Sequence, residues 1–418
     1  MPSFAKLPRP ADTRLAVRIT PDALRRVRAG HPWVYDQSVL NVSHEGAAGD
    51  LAVVFDADRK FAAIALWDPT SPIRMKVLHH GKPATVDRAF WVKRVSAALE
   101  RRAPLVARGD TNGYRCINGE NDGMPGLVLD RFDRTYVLKL YTPAWVPHLT
   151  DLLPVFDELL HPDAMVLRLA RSMTPEMLFG LEEGDALLGT PPTEPVMFQE
   201  CGLTFEADVV HGQKTGHFLD QRDNRAFFRT LVHGARVLDL FASTGGFTVY
   251  GAAGGATEVL AVDISEPTLA VATRNVQHNA HLREVAACRV RTTVADAFRE
   301  VDRLAHNGVR FDAVVVDPPS FAQRQFETTR ALAAYAKLTE LAVKVLRPDG
   351  LLVQCSCSSR VTADEFYSTV ARAAARAGRP LDEIRRTAHG IDHPVTFAEG
   401  AYLKAVFARV PAAGRADP

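Results

Sequence analysis

At 418 residues the chain is long enough for two or three domains, and its 47% apolar content can supply real cores. Fifty basic and 49 acidic side chains leave a formal charge of +1, a sum that neither announces nor excludes a nucleic-acid partner. Five cysteines, at 116, 201, 288, 355 and 357, form an odd set with no CxxC spacing, so neither a disulfide framework nor a four-thiolate zinc site is indicated.

No apolar run approaches the roughly 18 residues of a membrane-spanning helix, and the opening PSFAKLPRPADTR has no apolar signal core. A soluble, cytoplasmic chain with no membrane partner is expected. Only 10 of the 50 basic residues are lysine, and arginines cluster in LRRVR at 24–28 and from WVKRV to ERR between 91 and 102. Arginine engages phosphate through two parallel hydrogen bonds, so such patches suit RNA, while solvated helix faces are the plainer explanation.

Residues 15 to 80 read as short strands: LAVRI, LAVVFD at 51–56, FAAIALWD at 61–68 and MKVLHHG at 75–81, separated by turn residues such as EGAAGD and DPTSP. Between the first two lies RRVRAGHPWVYDQSV, where Gly30, Pro32 and Trp33 predict a turn that presents side chains. Over 82–110, Phe90, Val92, Val95 and Leu99 alternate with Arg and Lys at helical spacing. The loop-rich GDTNGYRCINGENDGMPG at 109–126 then leads into LVLDRFDRTYVLKLY, which predicts a hairpin. A helix over 151–160 and a strand over 164–170 complete a mixed middle block.

From about 195 strands alternate with helices: a strand at 237–242, a helix from the glycine turn to 253, a strand at 258–265 and a helix over 267–279. VRTTVADAF, the strand FDAVVVDPP, a helix over 332–346 and GLLVQCS follow. Apolar strands separated by amphipathic helices predict a mostly parallel sheet covered on both faces. The ending PAAGRADP predicts a frayed tail.

The first strand of that block ends in DLFASTGGFT at 239–248, and the second ends at Asp263. Turn glycines let backbone approach a ligand, and an acid at the next strand end accepts from ribose hydroxyls, so a nucleoside-containing cofactor is expected. The turn matches neither GxGxxG nor GxxxxGK[ST], which favours adenosylmethionine over a phosphate-bearing cofactor. Asp239 is placed to meet its ammonium group, Gly245 and Gly246 to give room, Thr244 to donate, and Asp296, ending the third strand, to accept from the adenine amino group. Helix capping or loop solvation is the bland alternative for each acid, but three at successive strand ends on the ligand-binding edge favour a site.

In LLVQCSCSSR at 351–360 two cysteines lie two apart, open to reading as a metal clip, a redox pair, two packing residues, or one nucleophile with a neighbour. Extended geometry strains an i,i+2 disulfide, and two thiols alone make a poor metal site. Cys357 lies beyond the strand, among small hydroxyl residues at the sheet opening.

RAGHPWVYDQSV, INGENDGMPGLVLDRF, HGQKTGHFLDQRDNR, VLDLFASTGGFT, AVDIS, VVVDPPSF and SCSSRV together resemble the adenosylmethionine-dependent methyltransferases that make 5-methylcytosine in bacterial large-subunit ribosomal RNA. The resemblance covers nearly the whole chain. It implies an α/β fold with a PUA-like RNA-binding module over 1–81 and a mixed α+β linking domain over 82–190. A Rossmann-like class I methyltransferase domain follows over 191–410, with a flexible tail over 411–418. It places the nucleophile at Cys357, with Cys355 a packing neighbour and Asp317, ahead of Pro318 and Pro319, on the base edge. It also implies that Lys214, Asp220, Gln221, Arg222 and Arg225 close over cofactor and RNA, with Arg222 on the methionine carboxylate. Ala242, Ile264 and Ala297 are further expected cofactor contacts.

The implied partner is ribosomal RNA or its assembly intermediate, and a homodimer is left open. Cytosine methyltransferases often carry a second cysteine just after the DPP motif, whereas DPPSF has none. DPP with SC also occurs in uracil carbon-5 enzymes. Methylation of another RNA position and a noncatalytic RNA-binding or assembly role therefore stay as alternatives.

Overall fold

The computed structural model describes residues 7–212, 215–322 and 324–412. They divide into two compact units, one built from residues up to 199 with 207–219 and 391–400, the other from 200–206, 220–390 and the segment from 401. The expected tail lies almost wholly outside the described residues.

The first unit holds two sheets. One contains β1 (Leu15–Ile19), β2 (Trp33–Val34), β3 (Val39–Val42), β4 (Leu51–Phe55), β5 (Phe61–Trp67) and β6 (Met75–His80), ordered β2-β6-β5-β4-β1-β3. The strand β1 alternates buried and exposed residues, as a half-buried strand should. Leu15, Val17, Val54, Ala63 and Met75 make the core beneath it.

A helix missing from the sequence reading, α1 (Pro21–Arg28), follows β1. It starts there because the Thr20 side chain accepts from the Ala23 amide and Pro21 occupies the first helical position. The helix turns the LRRVR arginines outward, yet each guanidinium already has a carboxylate: Arg25 pairs with Asp22 at 2.8 Å, Arg26 with Glu399 at 3.2 Å and Arg28 with Asp56 at 2.7 Å. Trp33 is likewise engaged rather than presented, its indole N–H donating to Glu120 at 2.9 Å and its ring meeting Phe397 edge-on.

The second sheet comprises β7 (Gly113–Asn118), β8 (Leu127–Phe132), β9 (Thr135–Leu140), β10 (Ala164–Leu169) and β11 (Ala186–Gly189), in the order β11-β10-β9-β8-β7. The expected hairpin is β8 with β9, closed by Phe132 opposite Thr135. Trp91 of α2 (Arg88–Val106) packs against Trp145, and Phe156 of α3 (Leu149–Leu160) joins the same core. One arginine of the expected RNA patch is misplaced: Arg102 is fully buried, forking onto Asp122 at 2.8 and 2.7 Å, so it braces the interior.

The strands β12 (Val196–Glu200) and β13 (Leu203–Ala207) lie where the chain leaves the first unit. The second unit carries a seven-stranded sheet: β14 (Arg236–Leu240), β15 (Glu258–Asp263), β16 (Arg289–Val294), β17 (Phe311–Val316), β18 (Leu346–Ser356), β19 (Asp382–Thr387) and β20 (Lys404–Arg409). Their order is β16-β15-β14-β17-β18-β20-β19, with β14 to β18 mutually parallel and β20 antiparallel to both neighbours.

Its helices are α4 (Arg222–Arg229), α5 (Gly246–Ala253), α6 (Glu266–His278), α7 (Arg283–Ala287), α8 (Ala297–His306), α9 (Thr328–Val345) and α10 (Ala363–Arg376). The strands read as continuous apolar runs because alternate residues enter separate cores: Leu238, Leu240, Val314 and Val316 on one face, Val237, Ala313, Val315 and Val353 on the other.

Candidate active site

In an open parallel sheet, ligands bind outside the carboxyl ends of the strands, where the strand order reverses. Here that reversal is at β14, whose neighbours β15 and β17 leave in opposite directions. Asp239 sits on β14, Asp263 ends β15, Asp296 follows β16, Asp317 follows β17 and Cys357 follows β18. The sheet thus gathers onto one edge five expected site residues that span over a hundred positions of sequence.

Asp239 is 1% exposed and accepts from the Thr248 hydroxyl at 2.7 Å. Burial, reinforced by Asp317 and Asp263, pushes its carboxyl up to about 7 against the pull of Thr248. A buried carboxylate so poorly compensated suits a cationic ligand group.

The turn after Asp239 is strained. Phe241 and Ser243 adopt positive φ of 62° and 49°, followed by Gly245 at 80°. Asp263 braces it, accepting from the Ser243 amide and from the Ser265 amide, each at 2.9 Å. The glycines make room for the protein itself: a β-carbon at Gly245 would lie 2.7 Å from that of Ala272 in α6, and one at Gly246 would lie 2.9 Å from the Arg225 guanidinium. Within the turn, Ala242 is buried and bonded through its amide to the Val262 carbonyl, and the Thr244 carbonyl accepts from Asn275.

Beside Asp263, Ile264 is 74% exposed, an apolar side chain left open at the strand ends. Asp296 caps α8 by accepting from the Arg299 amide at 3.0 Å, and Ala297, the first helical residue, is buried. Capping occupies one Asp296 oxygen, so the bland alternative for that acid is realised at least in part.

The polar segment before the sheet sorts into separate tasks. Lys214 lies outside the described residues. Arg222 is buried, donates to Asp223 at 3.0 Å and acts on the charge of Glu200. Arg225 forks onto that buried Glu200 at 3.0 and 2.8 Å, and the Tyr250 hydroxyl donates to the same carboxylate. Asp220 accepts from the Tyr402 hydroxyl at 3.0 Å.

Gln221, by contrast, reaches Asp317 at the sheet edge. Its amide donates to Asp317 Oδ1 at 2.7 Å, its oxygen accepts from Asn224, and the Asn224 oxygen accepts from Thr387. Each donor points toward Asp317, which fixes the carboxylate's orientation. Asn224 and Thr387 had no signal in the sequence reading, and Gln221 had only its polar neighbourhood.

The two cysteines separate clearly. Cys355 is fully buried beside Val353 and Phe407, and burial holds its thiol well above the usual range. The strand ends at Ser356, whose hydroxyl bonds that of Tyr335 at 2.9 Å, and Cys357 emerges partly exposed with its thiol 3.7 Å from the Pro318 carbonyl. The two-apart spacing therefore makes one core residue and one residue at the sheet opening. No cluster of metal-ligating side chains occurs among the described residues.

Strand order, acids at successive strand ends and a thiol beside the fourth parallel strand define a class I methyltransferase domain. A family described as S-adenosylmethionine-dependent methyltransferase matches residues 164–407, and a PUA-like domain matches residues 17–80. The chain belongs to the S-adenosylmethionine-dependent methyltransferases, in the branch of the ribosomal RNA large subunit methyltransferases.

A relative named ribosomal RNA large subunit methyltransferase, from Deinococcus radiodurans, is 46% identical over 94% of this chain and 97% of its own length. The ribosomal RNA large subunit methyltransferase I of Tolumonas auensis is 33% identical over 91% of this chain and 95% of its own. Among solved structures, one described as a methyltransferase complexed with SAH aligns with a TM-score of 0.81 at 19% identity, over 95% of this chain and all of that one. That likeness shows the shared fold. The cofactor is S-adenosylmethionine.

Proposed function

We infer that this enzyme methylates carbon 5 of a cytosine in large-subunit ribosomal RNA through a covalent adduct with Cys357. The observation that carries the reading is the placement of Cys357 at the sheet opening beside the Asp317-Pro318 turn, while Cys355 stays in the core. The names of the relatives supply the RNA class.

Carbon 5 of cytosine is a poor nucleophile. Addition of the Cys357 thiolate to carbon 6 makes the ring enamine-like, so that carbon 5 can form the new carbon–carbon bond. S-adenosylmethionine would supply the methyl group from its sulfonium, the sulfur–methyl bond breaking as the carbon–carbon bond forms and its electron pair leaving on a neutral thioether. Loss of the carbon-5 proton then returns electrons to the ring and breaks the sulfur–carbon bond. Asp317, held by Gln221, stabilises proton gain at ring nitrogen 3 during the addition.

For the cofactor, Asp239 takes the ammonium group and Asp263 the ribose hydroxyls, while Ile264 covers the adenine face and the Asp296–Ala297 helix start lies along its edge. Lys214, Asp220, Arg222, Ala242, Thr244 and Gly245 complete the proposed shell, those described here acting largely by shaping it. A paired target base has to leave its stack to reach the thiol, at about a few kcal/mol.

Nucleoside mass spectrometry of ribosomal RNA from a deletion strain, with complementation, tests the reading. Loss of one 5-methylcytosine, restored by the wild-type gene and not by Cys357→Ala, is expected. Loss of 5-methyluracil, or of no methylated nucleoside, would overturn it.

A further inference from the structure

The turn that presents Cys357 is gripped by a lysine that no motif singled out. Lys404 opens β20 and lies opposite Ser356 in the antiparallel register. It is 4% exposed, and its ammonium donates to the carbonyls of Ser358 at 2.5 Å and Val361 at 2.6 Å, one and four residues beyond Cys357. Taking an ammonium out of water is costly unless a partner demands it. Two carbonyls alone could be served by a neutral donor, so the charge itself calls for a reason.

That reason lies in what surrounds the turn. Burial pulls the Lys404 ammonium down to about 8, and against it Cys357 and the Glu365 carboxylate, in the first turn of α10, favour its charged form. Tyr335 of α9 bonds Ser356 just ahead of the turn and feels the charge of Cys357, Asp317 and Cys355, the last on the strand that leads into it. Burial raises both Tyr335 and Cys355, leaving them neutral near pH 7, while hydrogen bonds from Thr362 hold the Glu365 carboxyl low, so Glu365 contributes negative charge. A thiolate forming among these groups needs a nearby cation.

We propose that Lys404 is a positioning residue for Cys357, holding the Ser358–Val361 turn by its carbonyls and standing as the fixed cation beside the thiolate. The proposal rests on the reading of Cys357 as the nucleophile. Other contacts lock the same turn: the Ser358 hydroxyl donates to the Ala322 carbonyl at 3.0 Å, and Ser356 is tied to Tyr335. These fix geometry and carry no charge, whereas Lys404 brings a positive one.

The test uses the full chain without RNA or cofactor. Alkylation of Cys357 by iodoacetamide is followed by peptide mass spectrometry from pH 5.5 to 10, with Cys201 as the internal reference. Wild type is expected to show a Cys357 midpoint below the roughly 8.5 of an ordinary thiol. In Lys404→Met that midpoint should rise by about one unit, slowing Cys357 alkylation about tenfold at pH 7 with Cys201 unchanged. Lys404→Arg, which keeps the charge, should restore the wild-type midpoint, a recovery that a purely structural clamp would not predict.

An equal midpoint in wild type and Lys404→Met overturns the proposal. So does a wild-type midpoint at or above 8.5, which decides the matter even where the methionine variant fails to fold. The functional reading fails separately: it falls if wild-type enzyme forms no Cys357 adduct on RNA containing 5-fluorocytosine, whatever alkylation shows.

Discussion

Replacing Asp239 by Asn should make the free enzyme more stable at pH 8 and worse at binding its cofactor. The substitution keeps the shape and an acceptor for the Thr248 hydroxyl, now 2.7 Å from the carboxylate, and removes only the charge. In the folded protein this carboxyl titrates at about 7 against an ordinary value of 3.8, chiefly through burial. Between these values the folded state holds a proton that the unfolded state has released. The contribution to stability is therefore full below about 3.8 and is lost as pH rises through 7.

At 1.36 kcal/mol per unit, a difference of about 3 units corresponds to roughly 4 kcal/mol withheld from the folded state at pH 8. Asn carries no such cost. Thermal melting followed by fluorescence should show Asp239→Asn gaining on the order of 10 °C at pH 8, with the gap shrinking to less than half of that at pH 5 and closing only below about pH 3.8, where the acid is protonated in both states. Calorimetry between pH 5.5 and 7, where the cofactor ammonium remains charged, should show wild-type affinity falling up to about tenfold per unit of acidification. The variant should bind weakly with a flat profile. A variant that melts at or below wild type at pH 8, with the same offset at pH 5, would refute the claim that this buried charge is uncompensated.

Cys357→Ala should abolish both methylation and the 5-fluorocytosine adduct while keeping cofactor binding, and Cys355→Ala should keep both chemical readouts at a cost of about 1–2 kcal/mol in packing, read by denaturant titration. Gln221→Leu, which removes the amide that donates to Asp317 Oδ1, should lower the maximal methylation rate about 10- to 100-fold with cofactor affinity within about twofold of wild type. Arg225→Met leaves Glu200 buried without its fork and should cost about 3–5 kcal/mol; adding Glu200→Met should recover most of that, measured as a double-mutant cycle.

The catalytic sheet was legible because its signals are local. Apolar strands ended by an acid, a glycine turn and amphipathic helices each lie within about ten residues, and parallel connection follows from their alternation. The strand ends Asp239, Asp263, Asp296 and Asp317 fell on one edge for that reason alone. The sheet module near the start was read for its strands but not for α1, whose signal was a single Thr-Pro pair ahead of arginines too polar to suggest burial. Composition also misled at ERR, since Arg102 resembles a surface arginine until Asp122 is brought against it.

What escaped the sequence is the layer of side chains that holds the edge residues in place. Gln221 meets Asp317 across 96 positions, and Lys404 meets Ser358 across 46. Both residues are common types in unremarkable surroundings, with no spacing to mark them. The same separation explains why their effects should differ on mutation. Gln221 arrives from a segment ahead of the sheet and acts on the orientation of one carboxylate. Lys404 is carried by a strand paired to β18 itself, so its position is set by the ladder that ends at Ser356. A strand register fixed by six residue pairs leaves the ammonium little freedom to follow the thiol. A cation held in this way lowers the cost of forming the thiolate without having to reorganise when it appears, which is the arrangement expected to help most in a partly buried site.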